Sequence, residues 1–243
     1  MTNNGGEPDL LRRRMELGQI IDRSLTLYRL NFPELVAMAA ITLPVDIVSA
    51  LAAAAITDAI VLTIASIPLY VVSIAVTVIA TAAIARAVDD IADGLPADFN
   101  RSYRYVAERL RTLMLAALRV FLPVVLAAVT VVGIPLAVYL LVRWIFFPQA
   151  VAIDGQSSDD AVALSARIVK GQWWRTFGIL LVVWLLASFP AVAVAILFAP
   201  AAVIASGLAS AAIAVIILPF VAVASTLLYY DLRSRERERA GTT

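Results

Sequence analysis

The sequence predicts an all-α polytopic membrane protein: six transmembrane helices forming three hairpins, each preceded by an amphipathic helix on the cytoplasmic side. Three observations carry this expectation. Of 243 residues, 62% are hydrophobic and 15% charged, against about 25% charged in a water-soluble domain. The charges cluster in four segments and leave long apolar runs between them. A polar turn, an amphipathic stretch and a pair of apolar runs recur in that order three times, most clearly from Asp154 onward in DGQSSDDAVALSARIVKGQWWRTFGILL.

Composition also narrows the function. A net charge of +1 gives no electrostatic footprint for a nucleic-acid partner. The absence of cysteine removes disulfides, thiolate nucleophiles and zinc–thiolate sites. The absence of histidine removes the commonest general base and transition-metal ligand. Phosphate loops, zincin helices, EF-hand loops and nucleophile triads do not occur in the sequence. No enzyme, cofactor or metal site is therefore expected. Lys170 is the only lysine among 19 basic residues, an arginine bias that points by composition to a GC-rich bacterial genome.

Residues 1–15 read as a disordered cytoplasmic tail. Gly5, Gly6 and Pro8 break any pattern, and Arg12, Arg13 and Arg14 resemble a cytoplasmic retention signal rather than a signal peptide. From Glu16 to Phe32, Leu17, Ile20, Ile21, Leu27 and Tyr28 recur at helical spacing with Asp22, Arg23 and Arg29 mostly opposite. This helix lies in the membrane interface or caps the bundle as a soluble element; both readings put it on the cytoplasmic side.

About 20 apolar residues cross a hydrocarbon core of about 30 Å. Spans are expected at 35–56, interrupted by Asp46, and at 59–85, after a tight turn at Asp58. Gly94 and Pro96 then punctuate a loop, and Phe99, Tyr103, Val106 and Leu110 mark the second amphipathic helix. The run from Leu113 to Ile153 is too long for one crossing, and Gly133-Ile134-Pro135 divides it into spans 113–132 and 135–153. Ser157 and Asp160 fit a capping-box start for the third amphipathic helix, which Gly171 ends. Spans 176–199 and 207–230 follow, joined by a small turn from Pro200 to Ser206. Residues 234–243 form a charged cytoplasmic tail, and residues 16–233 make one membrane domain. The basic residues outside spans all lie in the termini or in the 86–112 and 154–175 loops. Both termini are therefore expected in the cytoplasm, in a bacterial inner membrane. Pro44, Pro68, Pro123, Pro135, Pro190 and Pro219 each fall in or beside one span. They read as kinks that shape the bundle or as broken helices that expose backbone to a substrate.

Three segments, LGQIIDRSLTLYRLNF (Leu17 to Phe32), the stretch Gly155 to Gly178 with GQWWRTFG, and YYDLR (Tyr229 to Arg233), resemble the membrane domain attached to some bacterial glycerophosphoryl diester phosphodiesterases. That domain also occurs as a stand-alone six-span protein. The resemblance implies a helical membrane module of poorly defined activity. It implies no hydrolase activity, since the phosphodiesterase domain with its acidic residues and histidines is absent.

The candidate site residues fall in two groups. Asp46 is the only acid inside a span. It sits about 17 Å deep and Arg143 about 15 Å deep from the same side, which predicts a pair, with Arg119 as a shallower competitor or a snorkelling residue. That pair is a structural pin between spans one and four or a polar site for an anionic headgroup or solute. At the interface, Trp173, Trp174 and Arg175 read as an aromatic belt with a headgroup contact, and Tyr229, Tyr230, Asp231 and Arg233 read likewise. Asp231 is expected to pair with Arg167 or Arg23. Asp22 and Tyr28 belong to the same interfacial network. Gly207 with Ser210 and Ala211 permits a close helix contact. The expected role is a non-catalytic module that contacts membrane lipids and positions or regulates a membrane protein partner. The alternative is a small permease or lipid transporter using the Asp46–Arg143 layer.

Overall fold

The structure, a computed structural model, describes residues 11–198 and 203–241. The first ten residues of the expected tail, the start of the turn at Pro200 and the last two residues lie outside this range. Among the described residues the chain is all-helical, without a strand.

Helix α1 (Leu17–Leu30) starts on a reciprocal cap, in which the Glu16 side chain accepts from the Gln19 backbone and Gln19 Oε1 accepts from the Glu16 N–H at 3.1 Å. It buries Ile20, Ser24 and Leu27 and leaves Asp22 exposed. The first crossing is broken. Helix α2 (Phe32–Ala39) passes through a 3₁₀ turn at Ala40–Thr42 into α3 (Leu43–Ala55). Pro44 occupies the first turn of α3, where its missing N–H costs nothing but cannot continue the preceding helix. Asp58 then caps α4 (Ala59–Ala92), accepting from the N–H groups of Ile60 and Val61 at 2.9 Å each. Helix α4 runs unbroken through Pro68. Its buried residues all lie from Val78 to Ala92, whereas Ile60, Ile64, Ile67, Tyr70 and Ile74 face outward.

Asp98 caps α5 (Phe99–Glu108), and α6 (Leu110–Ala128) follows. The connection to α7 (Ile134–Trp144) is so tight that a Cβ on Gly133 would sit 2.0 Å from the Ala127 carbonyl oxygen, so only glycine fits. The fourth crossing is also broken, because α7 stops at Trp144 and α8 (Phe147–Ala152) restarts with Pro148 in its first turn. Ser157 caps α9 (Ser158–Val169), accepting from the Asp160 N–H at 3.3 Å and donating to Asp160 Oδ2 at 2.6 Å. Gly171, with φ of 77°, supplies the left-handed turn after it. Helices α10 (Trp173–Phe198) and α11 (Val203–Gly241) complete the chain and pass through Pro190 and Pro219 without a break.

Six segments are long and apolar enough to cross a membrane: Phe32–Ala55, Ala59–Ala92, Leu110–Ala128, Ile134–Ala152, Trp173–Pro190 and Ile204–Arg239. The chain is thus a multi-pass membrane protein. Two helices outrun the expected bounds. Helix α4 continues past Arg86 because Arg86 pairs with Asp89 at 3.2 Å and Asp90 at 2.7 Å, three and four residues on. Helix α11 continues through the expected charged tail because Asp231–Arg235 at 2.9 Å and Arg233–Glu236 at 3.0 Å neutralise that turn in the same way.

Helix α11 is the central strut, packed on α1, α2, α3, α4, α9 and α10, while α6 packs on α7 and α4 on α8. A Cβ on Gly207 would lie 2.6 Å from the Ala50 Cβ, so α11 and α3 touch backbone to backbone there. The densest part of the core, with Ile84, Leu113, Phe146, Ile168, Leu228 and Tyr229 fully buried, lies toward the end that carries both described termini.

Candidate functional site

The two broken crossings expose backbone groups that a continuous helix would pair internally, and side chains from the short helices satisfy them. Tyr103, on α5, donates its hydroxyl to the Met38 carbonyl beside the first break. Burial pushes the Tyr103 phenol pKa up, so the hydroxyl keeps its proton and remains a donor. Ser165, on α9, bridges the second break: its Oγ accepts from the Phe146 N–H at 3.2 Å and donates to the Arg143 carbonyl at 3.1 Å. Tyr28, on α1, donates to the Ile216 carbonyl at 2.8 Å, three residues before Pro219. Irregular backbone at membrane depth persists only where it is satisfied by protein or lines a cavity. Both conditions hold here.

Between the broken crossings lies a cavity of about 690 Å³, within the range of small-molecule sites. Asp46 and Thr42 line it from the first break, and Phe147, Pro148 and Gln149 line it from the second. Ser73, Thr77 and Thr81, spaced four apart on α4, add one hydroxyl per turn, and α10 and α11 supply most of the apolar wall. Thr42 lies one helical turn before Asp46 on the same wall. Gln149, 1% exposed, donates to Ser225 Oγ at 3.0 Å and leaves its Oε1 without a donor among the described residues. Among the described residues, no arginine or lysine lines the cavity.

This geometry corrects the expected Asp46–Arg143 pair. Arg143 instead donates to the Tyr139 hydroxyl at 3.2 Å. Arg119 reaches Asp159 at 3.0 Å and the Ser158 hydroxyl, bridging α6 to the start of α9. Equal depth does not imply proximity: α3 packs on α4 and α11, whereas α7 packs on α6, α9 and α10.

The interfacial candidates form a second, polar cluster at the end that carries both described termini. Asp231, 0% exposed, pairs with Arg175 at 2.6 Å and Arg235 at 2.9 Å and accepts the Met15 N–H at 2.8 Å. Its partners are therefore not the expected Arg167 or Arg23, and Arg167 pairs with Glu236 at 2.6 Å. Met15, inside the expected disordered tail, is buried and gives its carbonyl to Arg175 at 2.8 Å. Tyr230 donates to Asp89 at 2.8 Å, and Tyr229 donates to Asp154, which also binds Arg233 at 3.1 Å. Arg12 closes the cluster on Asp89 at 2.7 Å and Asp93 at 2.8 Å. Burial works against the Arg12 charge, but the Asp89 hydrogen bond and charge outweigh it and hold the proton more tightly than usual. Trp173 stacks on Phe177 with centroids 5.2 Å apart and donates its indole N–H to the Tyr139 carbonyl at 3.2 Å, whereas Trp174 is 78% exposed.

No family model, curated protein or solved structure matches the chain. The resemblance to the phosphodiesterase membrane domain therefore rests on the three quoted segments alone. The polar cavity residues not singled out from the sequence were Thr42, Gln149, Ser188, Ser225 and the Ser73–Thr77–Thr81 row. The fourfold spacing of that row was the available signal, and Pro148 one residue before Gln149 was the other.

Proposed function

We propose that the protein is a bacterial inner-membrane binding protein or small permease that holds a largely apolar molecule in the cavity between its two broken crossings. The observation that carries this reading is Asp46, an acid on the wall of a roomy cavity with no basic residue beside it among the described residues. An ionisable residue inside a span marks a ligand or ion path by default. Helices broken near the middle of a membrane are the usual way transporters build such sites. In the accompanying architecture, three hairpins each follow a cytoplasmic amphipathic helix, both termini are cytoplasmic, and α1, α5 and α9 brace the kinks from that side.

Native mass spectrometry of the protein extracted with its own membrane patch tests the reading, with wild type beside Asp46→Asn. The expected result is one defined small molecule retained by wild type and lost by the variant. Bulk lipid alone in both samples would sink it. The second reading, a lipid-contacting scaffold for a membrane partner, is favoured by one observation: the cluster around Asp89, Asp154 and Asp231 is fully engaged and resembles a rigid plate. A co-purifying protein in the same experiment, with no retained small molecule, would put that reading ahead. The likeness to the phosphodiesterase membrane domain is compatible with both.

A further inference from the structure

We propose that the cavity selects molecules carrying an ammonium group on an apolar body. The inference rests on the reading of the cavity as a binding site. Its first ground is charge. Asp46 is the only charged residue on the wall among the described residues, and an ionised carboxylate has about four acceptor sites. A charged group within a span is normally matched by an opposite charge. Because the wall offers no cation among the described residues, the match comes with the ligand.

The second ground is the balance of donors and acceptors. Ser188, Ser210 and Ser225 each donate their hydroxyl to a carbonyl of their own helix, at 3.0, 2.9 and 2.9 Å, so they offer lone pairs rather than protons. Gln149 commits its amide N–H to Ser225 and keeps an unpartnered Oε1. These acceptors join Asp46 on a wall where the Ser73, Thr77 and Thr81 hydroxyls can donate or accept, and an ammonium group brings three donors and no acceptor. The third ground is aromatic: Phe121, Phe147 and Trp184 share the wall, and ring faces attract cations. A phosphate or carboxylate headgroup would meet the opposite of what it needs, an acid without a compensating cation.

The test uses three matched fluorescent probes and the full-length protein in phosphatidylcholine nanodiscs, with empty nanodiscs as background. Monodansylcadaverine carries a primary ammonium, N-pentyl dansylamide is its neutral counterpart, and dansyl-aminohexanoate is anionic. Wild type should bind the ammonium probe saturably and about tenfold or more tightly than the other two, the worth of a hydrogen bond to a charged group. Asp46→Asn should abolish that preference, Asp46→Glu should retain it, and Ala187→Trp, which fills the cavity, should weaken all three probes. Adding phosphatidylethanolamine to the nanodiscs separates two sources of the ammonium. Displacement of the probe assigns the site to that lipid headgroup, and no displacement assigns it to a free amphiphilic amine. Equal binding of the three probes by wild type, or an unchanged preference in a folded Asp46→Asn, overturns the ammonium inference and leaves a binding cavity. No saturable binding of any probe overturns both.

Discussion

At the scale of single residues, the polar groups divide by how completely they are partnered. Asp231 has no exposure and holds two arginines and a backbone N–H. Replacing it with alanine strands those arginines, and a broken buried pair costs about 3 kcal/mol. Arg167→Ala removes an ion pair from a side chain that is 61% exposed and should cost less than about 1 kcal/mol. Parallel denaturation of both variants in detergent checks the ranking, and equal losses would contradict it. Tyr103→Phe deletes only the hydroxyl at the first break and should cost about 1–2 kcal/mol, because the Met38 carbonyl loses its donor. At this scale the sequence was legible in part. It marked Asp46, Tyr229, Tyr230 and Asp231 as special, since acids and aromatics stand out in an apolar chain. It did not identify their partners, because a depth count gives height along the membrane and not the angle around each helix axis.

At the scale of elements, the apolar runs, the glycine turns and the Ser157 cap could all be read from the chain, because each depends on local chemistry. The breaks in the first and fourth crossings could not be read in the same way. Eight prolines fall in the six crossings, yet α4, α6, α10 and α11 pass through theirs. At the two breaks, side chains remote in sequence take up the freed backbone, Tyr103 at Met38 and Ser165 at Arg143 and Phe146, and the prolines alone do not reveal them. The Ser73–Thr77–Thr81 row was hidden for a different reason, since small hydroxyls in an alanine-rich helix barely change its hydropathy. Helix contacts give one further prediction. Gly207→Ala would place a methyl group 2.6 Å from the Ala50 Cβ, forcing α3 and α11 apart at a cost of about 1–3 kcal/mol. A thermal melt of the variant beside Gly178→Ala, where a Cβ meets nothing within 4 Å, should show a loss only for Gly207.

At the scale of the whole molecule, the proposed orientation rests on the arrangement of charge. Arginines outside the crossings gather at one end, and in that proposal the positive-inside rule turns this end to the cytoplasm. The chain is naturally free of cysteine, so single labels report cleanly. A cysteine at Val132, 90% exposed in the turn between α6 and α7, should react with an impermeant reagent added outside intact cells. One at Glu108, with a side chain 64% exposed, should react only after permeabilisation; the reverse pattern would invert the protein. The two ends of the bundle also differ mechanically. Ion pairs and tyrosine hydroxyls clamp one end, while the opposite half of α4 turns Ile60, Ile64 and Ile67 to its surroundings. Separating the helices at the clamped end would strand Asp89, Asp154 and Asp231 together, so that end resists opening as one unit.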